Sequence, residues 1–514
     1  MARGNTLKVV FKETYQHQAM VFPPTLDELI RKDHPVRIVS EILEKVDITK
    51  LMDQYKPGGT SSYHPRMLLK VMVYAYIHNV YSSRKIEEAL QENIYYMWLS
   101  GMSKPDHNTI NRFRGKRLQQ TLQPIFTQVV LLLCEEGLLS IKELYTDGTK
   151  MEANANRYSF VWGKGVKNNK EKIKQQLNEL WQYAQKVAAA ELDDTDPSGF
   201  DKIDSKKVEE TIAKINEALK DKPVPREIKQ KLSTAKNKWP RALDKYEQQE
   251  KIIGEGRNSY SKTDPGATFM RMKEDHLQNG QLKPAYNLQI STNNQYIASY
   301  SIHQNPADTT TLISHVENLQ AQYKEYPQTL TADAGYGSEQ NYQWLEDKGI
   351  RAYVKHNQSD MRQTSNKEDK NPFASDKLYY NKDKDCYYCP MGQAMENIGT
   401  VIRKTAAGYP QLITRYQARN CMGCPLRGTC HKSPDNRIIE VNHNLNRLKR
   451  QTDQLLRSDQ GIKQLTKRGC EVEPVFGNIK NNHYFRRFML RGKEKVMVET
   501  GLLALAHNLR KKTA

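Results

Sequence analysis

From Ile141 to Lys355 short apolar runs of strand length alternate with segments of helical periodicity, and that order confines the chain to a mixed α/β sheet. IKELYTDGTKMEA, beginning at Ile141, reads as a strand that ends at Asp147 in a Gly turn. Ala285–Ile290 and Tyr296–His303 read as two more strands, with Thr292–Gln295 as the turn between them. LTADAGYGS, at 330–338, is a further strand ending in a carboxylate and a Gly turn. Helices over Thr309–Tyr326 and Glu339–Lys348, and a strand over Arg351–Lys355, complete the pattern.

Two insertions interrupt this domain, which spans 141–514. Between about 165 and 255 the chain is rich in Lys, Glu and Gln. Ile173, Leu177, Leu180, Ala184 and Val187 recur there at seam spacing, as do Val208, Ile212, Ile215 and Leu219, and Ile228, Leu232, Ala235 and Trp239. Pro223 and Pro225 separate the last two, which predicts an antiparallel helical hairpin. A polar linker at 357–385 leads into the second insertion, a cysteine-rich module at about 380–432, and helices resume from about 460.

Residues 1–140 read as all-helical, with helices predicted at Pro24–Lys32 (Thr25 as cap), Val36–Lys45, Met67–His78 and Ser83–Asn93. Met67–His78 is apolar almost all round, as a buried central helix must be. In KPDHNTINRFRGKR, at 104–117, a Pro-Asp turn precedes a helix capped by Asn108 or Thr109 that carries Arg112, Arg114, Lys116 and Arg117. A short helix, a turn and a basic helix predict a helix-turn-helix-like DNA-binding region.

Lys and Arg outnumber Asp and Glu by 79 to 59, a formal charge of +20, which favours a polyanionic partner. The longest apolar run, Val129–Cys134, is far too short to cross a bilayer, and MARGNTLKVVFKETYQ lacks the apolar centre of a signal peptide. The expectation is cytoplasmic residence, associated with the nucleoid, and no membrane partner.

Asp147 in YTDGTK and Asp333 in TADAGYG end two strands in the same way. A carboxylate held rigidly with open space before it suits metal-assisted phosphoryl transfer, in which two hard cations about 3.5–4 Å apart clamp the attacking and leaving oxygens. In CEVEPVFGNIKNNHYFRRFMLRG, Glu473 stands seven residues before Lys480, two helical turns on one face, with Pro474 suited to the first helical position. Glu473 could complete a metal site while Lys480 meets a phosphate. Glu471, Glu499 and Asp308 are rival acids.

YTDGTKMEANANRYSFVW, TDPGATFMRMK, TADAGYGS, the cysteine module and VEPVFGNIKNNHYFRRFMLRG occur in an order that resembles the eleven-eighty-two family of bacterial insertion-sequence transposases. The resemblance covers essentially the whole chain. It implies a ribonuclease-H-like catalytic domain with a DDE triad, Asp147, Asp333 and Glu473, holding two Mg²⁺ (or Mn²⁺) ions. It also implies double-stranded DNA as partner, both transposon ends and target, and a homodimer that pairs the two ends. The implied reaction is hydrolysis at the element's ends, then attack of the freed 3′-OH on target DNA. The wider group carries Tyr-2-Arg-3-Glu-6-Lys around the third acid. Here Glu473 and Lys480 keep the six-residue gap, but four residues separate Arg468 from Glu473 and no Tyr precedes it. Other readings of the chain are a DDE nuclease that does not transpose and a catalytically silent DNA-binding regulator.

Five cysteines, Cys386, Cys389, Cys421, Cys424 and Cys430, fall within 45 residues and suggest a structural zinc ion with four of them as ligands. The resemblance favours a zinc-ribbon-like set of Cys389, Cys421, Cys424 and Cys430, with Cys386 as the alternative and His431 spare. Arg157, Tyr158 and Trp162 could clamp or stack on a DNA end. Arg271, Lys273, Arg486, Arg487 and Arg491 are further phosphate contacts in this reading.

Overall fold

The computed structural model describes residues 24–55, 62–188, 203–272, 280–356 and 373–513. Lys273, part of the Gly-Pro break at 56–65 and most of the polar linker lie outside them. Two His-Pro pairs open the main helices. Pro35 and Pro65 start α1 (Pro35–Lys45) and α3 (Pro65–Ile77), where a missing N–H leaves no intrahelical bond unmade. The Nδ1 atoms of His34 and His64 accept from the amides of Val36 and Arg66, each at 3.2 Å. Short α2 (Thr49–Met52) lies between them, and α3 is buried along nearly its whole length, as its composition predicts. α4 (Ser83–Glu92), α5 (Ile94–Ser100), α6 (His107–Arg112) and α7 (Leu122–Glu135) follow.

Two local expectations fail here. The stretch after Thr25 forms turns, with Thr25 and Glu28 exchanging capping hydrogen bonds of 2.9 and 3.3 Å. Pro35 keeps the residue before it out of the helical region, so this short stretch cannot propagate into α1. In the basic segment Asp106, not Asn108 or Thr109, caps α6, its Oδ1 accepting from the Thr109 amide at 2.8 Å. The helix then widens into a π turn over Phe113–Arg117.

The central strand is β1 (Glu143–Glu152). After a small ribbon of β2 (Phe160–Trp162) and β3 (Ser259–Ser261) come β4 (Thr268–Arg271), β5 (Leu282–Asn293) and β6 (Tyr296–His303). β5 pairs antiparallel with β1, and both β6 and β4 pair with its other edge, at different ends. Asn294 and Gln295, at φ 48° and 60°, turn the β5–β6 hairpin more tightly than the sequence suggested. On the other side β7 (Thr329–Ala332) runs parallel to β1, and β8 (Arg351–Val354) parallel to β7. The order β6–β5–β1–β7–β8 is therefore three antiparallel strands extended by two parallel ones. α11 (Leu312–Tyr323) and α12 (Glu339–Asp347) make the connections that parallel strands need.

The first insertion contains α8 (Gly163–Val187), α9 (Ser205–Ala218) and α10 (Arg226–Ile253). Leu177, Leu180, Ala184, Val208, Ile212, Ile215 and Ala235 form a core of its own. It is a three-helix bundle rather than a hairpin, because the α8 seam is apolar enough to cover the other two. Strands the sequence did not announce follow: β9 (Tyr380–Asn381), β10 (Cys386–Tyr388), β11 (Ala394–Lys404), β12 (Pro410–Ala418) and β13 (Ile438–Val441), an antiparallel sheet in chain order. The C-terminal helices are α13 (His443–Arg457), α14 (Asp459–Glu471), α15 (Glu473–Gly477), a π turn over Asn478–Asn482, and α16 (Lys493–Thr513).

One core joins the N-terminal helices, the sheet and α16. Phe126 of α7 meets Tyr300 of β6 edge to face at 4.9 Å between ring centroids. Gly501 of α16 lies so close that a Cβ there would stand 2.3 Å from the Tyr300 hydroxyl. Among the described residues no helix is long and apolar enough to cross a membrane.

Candidate active site

β1 does not end at Asp147. It continues through Gly148 to Glu152, because Gly148 pairs with Gln289 of β5 and lets that side chain fill the space a Cβ would take, 2.2 Å from Gln289 Nε2. Asp147 is thus a mid-strand residue, while Asp333 follows the last residue of β7. The parallel register pairs Thr146 with Ala332, so the next residue on each strand is an acid. The Asp147 Oδ1 accepts from the Gly148 amide at 2.7 Å, and the Asp333 Oδ1 from the Gly335 amide at 2.8 Å.

α14 docks over these strands. The Oε1 of buried Gln464 accepts from the Tyr145 hydroxyl at 2.5 Å and from Thr331 Oγ1 at 3.3 Å. Tyr145 and Thr331 lie two residues before the acids, on the same faces of their strands, and Gln464 lies one helical turn before Arg468. The docking therefore sets Arg468 above both acids. Its Nη1 stands 3.9 Å from Asp147 Oδ2, and its Nη2 3.9 Å from Asp333 Oδ2. Val472 ends α14, and Glu473 opens α15 with its Oε1 4.0 Å from Arg468 Nη1. The three acids 186 and 140 positions apart in the chain thus surround one guanidinium.

Beneath them lies a hydrogen-bonded network. Tyr336 donates to Gln289 Oε1, and Gln289 Nε2 donates to Asn287 Oδ1 (2.9 Å) and Asp308 Oδ1 (3.1 Å). Asn287 Nδ2 also donates to Asp308, at 2.8 Å. Burial holds the Tyr336 phenol well above its ordinary range, and the nearby charges of Asp147, Asp308 and Asp333 push it the same way. Asp308 is therefore tied into this network. The other rival acids are engaged elsewhere: Glu471 Oε2 accepts from the Gln295 amide at 2.7 Å, and Glu499 is buried under the C-terminal loop.

That loop carries the basic run. Phe485 and Phe488 are buried, whereas Arg486, Arg487 and Arg491 are exposed. Glu499 accepts from the amides of Met489 and Leu490 at 3.0 Å, and Asp264 of the TDPG turn accepts from the Gly492 amide at 3.0 Å. Burial pushes the Glu499 carboxyl up to about 7, against the pull of Arg114 and the two amides. Arg487 is braced across the end of β1, donating to the carbonyls of Ala153 (3.1 Å) and Ala155 (3.2 Å).

Of the other basic residues singled out in the sequence, Arg112, Arg157 and Arg271 are exposed, Arg157 pairing with Glu152 at 3.3 Å. Trp162 is half-buried against Phe160 and Phe269. Lys480 is half-buried in the π turn. Arg114 is a correction. The π turn carries it inward, where it is 3% exposed and donates to the Tyr76 hydroxyl (3.2 Å) and the Tyr81 carbonyl (2.6 Å). It is a buried cation of the helical core, out of reach of a DNA phosphate.

The five cysteines expected to supply a zinc set are not brought together among the described residues. Among the described residues no three His, Cys, Asp or Glu side chains stand close enough together to hold one metal ion. Arg437 takes up two of the thiols, its Nη1 donating to Cys430 Sγ at 2.9 Å and its amide to Cys421 Sγ at 3.4 Å. Cys386, Cys389 and Cys424 are not gathered with them into a tetrahedral site. The acids likewise surround Arg468 rather than one shared point. Their chemistry does fit a divalent cation, for three hard carboxylate donors already face the Arg468 guanidinium.

Fold and site together define an α/β protein in which two acids of the central parallel strands and one of a docked helix face one arginine. Residues 388–513 match the family model described as Transposase DDE domain, and residues 24–116 match that of a Transposase domain (DUF772). Both matched stretches are thus similar to transposase domains, the C-terminal one to a DDE domain. Comparison with curated proteins and with solved structures found no match.

Proposed function

We propose that this chain is the DNA transposase of an insertion sequence of the eleven-eighty-two kind, binding the element's terminal repeats, hydrolysing phosphodiester bonds at its ends and joining the 3′-OH ends to target DNA. The observation that carries this reading is the meeting of Asp147, Asp333 and Glu473 around Arg468. The strand order, three antiparallel strands extended by two parallel ones, supports a ribonuclease-H-like catalytic domain over 141–514, with the helices of 1–140 docked on it. Both matched transposase domains support the same function.

In this reading Asp147, Asp333 and Glu473 hold two Mg²⁺ or Mn²⁺ ions. When bound, such ions supply Lewis-acid activation of the attacking oxygen and charge stabilisation of the leaving one. The chain's own residues position the rest. Gln464 keeps α14 on the strands, and Gln289 and Tyr336 keep the floor of the site rigid. Exposed Arg486 and Arg487, beside the end of β1, present charge to a DNA backbone, with Arg112, Arg157, Arg271, Lys480 and Trp162 as outer contacts. Two copies would pair the two ends of the element.

The test is cleavage of DNA carrying the element's ends in the presence of Mg²⁺. Asp147→Asn should abolish cleavage while leaving end binding within about threefold, since one removed charge is a small part of a many-phosphate contact. A variant that still cuts its ends would refute the triad. Cleavage by the wild type without joining to a target would identify a nuclease that does not transpose.

A further inference from the structure

We propose that Arg468 is the resident counter-cation of the acid triad, and that a divalent metal loads by displacing its guanidinium. This rests on the reading of Asp147, Asp333 and Glu473 as metal ligands. Arg468 faces all three at once, Nη1 toward Asp147 (3.9 Å) and Glu473 (4.0 Å), Nη2 toward Asp333 (3.9 Å). All three distances exceed the hydrogen-bond range, so the guanidinium neutralises the acids without being locked to any of them. The guanidinium brings one positive charge to three carboxylates, and a divalent ion in its place brings two, so the exchange improves the charge balance of the triad.

The surroundings permit the exchange. α14 is held to β1 and β7 through Gln464, one turn earlier, so the Arg468 side chain can swing away without undocking its helix. Glu473 is 68% exposed, so the triad is open to solvent on that side. With Arg468 in place the carboxylates are spread around a planar group, and among the described residues no three acidic side chains are close enough to bind one ion. Removing the guanidinium removes both the competitor and the spacer.

The experiment is a Mn²⁺ titration of the full-length protein, following loss of the free-ion electron paramagnetic resonance signal. Arg468→Gln and Arg468→Ala should each tighten Mn²⁺ binding by about tenfold, and Arg468→Lys, which keeps a cation, should stay within about threefold of wild type. In chelator, Arg468→Gln should melt at lower temperature than wild type and gain more on saturation with Mn²⁺. Unchanged or weaker Mn²⁺ affinity in both neutral variants, or equal gains on saturation, would overturn the displacement. Wild-type binding that Asp147→Asn leaves intact would instead refute the triad as the metal site, a separate failure.

Discussion

Gly148 shows how much one residue decides at this site. A Cβ there would sit 2.2 Å from Gln289 Nε2, and that amide is tied to Asn287, Asp308 and Tyr336. It cannot move aside without breaking bonds inside the sheet, so Gly148→Ala should lower stability by about 1–3 kcal/mol. Urea denaturation checks this, and a variant as stable as wild type would remove Gln289 from the account. The Asp-Gly pair reads locally as a strand end. It is a strand interior because a partner 141 residues later needs the space. Arg468 carries the same lesson. Its spacing from Glu473 departs from the pattern of the wider group, and nothing local shows that its guanidinium meets all three acids.

Among the elements, the loop bearing Arg486 and Arg487 is the most dependent on others. Glu499 from α16 and Asp264 from the TDPG turn hold its amides. Burial raises the folded-state Glu499 carboxyl to about 7, above its ordinary value of 4.5. The folded protein therefore prefers it protonated, and the stability it contributes is present below pH 4.5 and lost as pH rises through 7. Glu499→Gln should remove that dependence, worth on the order of 3 kcal/mol between those limits. Melting temperatures at pH 5 and pH 8 check it; a variant with the wild-type difference would show that Glu499 does not titrate there. The π turn over Phe113–Arg117 is the counterpart among the helices. One extra residue in the winding turns Arg114 from the surface to the core, which an ideal 3.6-residue count could not foresee.

At the scale of the whole molecule, the helices before position 140 and the sheet after it share one core, whereas the helical insertion keeps its own. Phe126 is fully buried at that junction, against Tyr300. Phe126→Ala should destabilise both sides together by about 3–5 kcal/mol. Hydrogen exchange would show α3 and β5 losing protection in parallel while α8–α10 keep theirs. Loss confined to α3 would mean that the junction does not couple them. The unforeseen strands β9–β13 belong to this scale too, since β11 is largely exposed and offers little apolar alternation to read.

The amino-acid sequence by itself determined the order of elements over 141–355, the buried character of α3, the seams of the inserted helices and the acids at 147, 333 and 473 as residues to watch. Those are local signals, carried by periodicity, capping and turn chemistry within a few residues. Tertiary structure alone decided that β1 runs on past Asp147, that Arg114 is buried, that the cysteines are not gathered, and that three distant carboxylates face Arg468. Each of those depends on strand register or helix docking between residues far apart in the chain, where the energy lies in packing partners that no local pattern names.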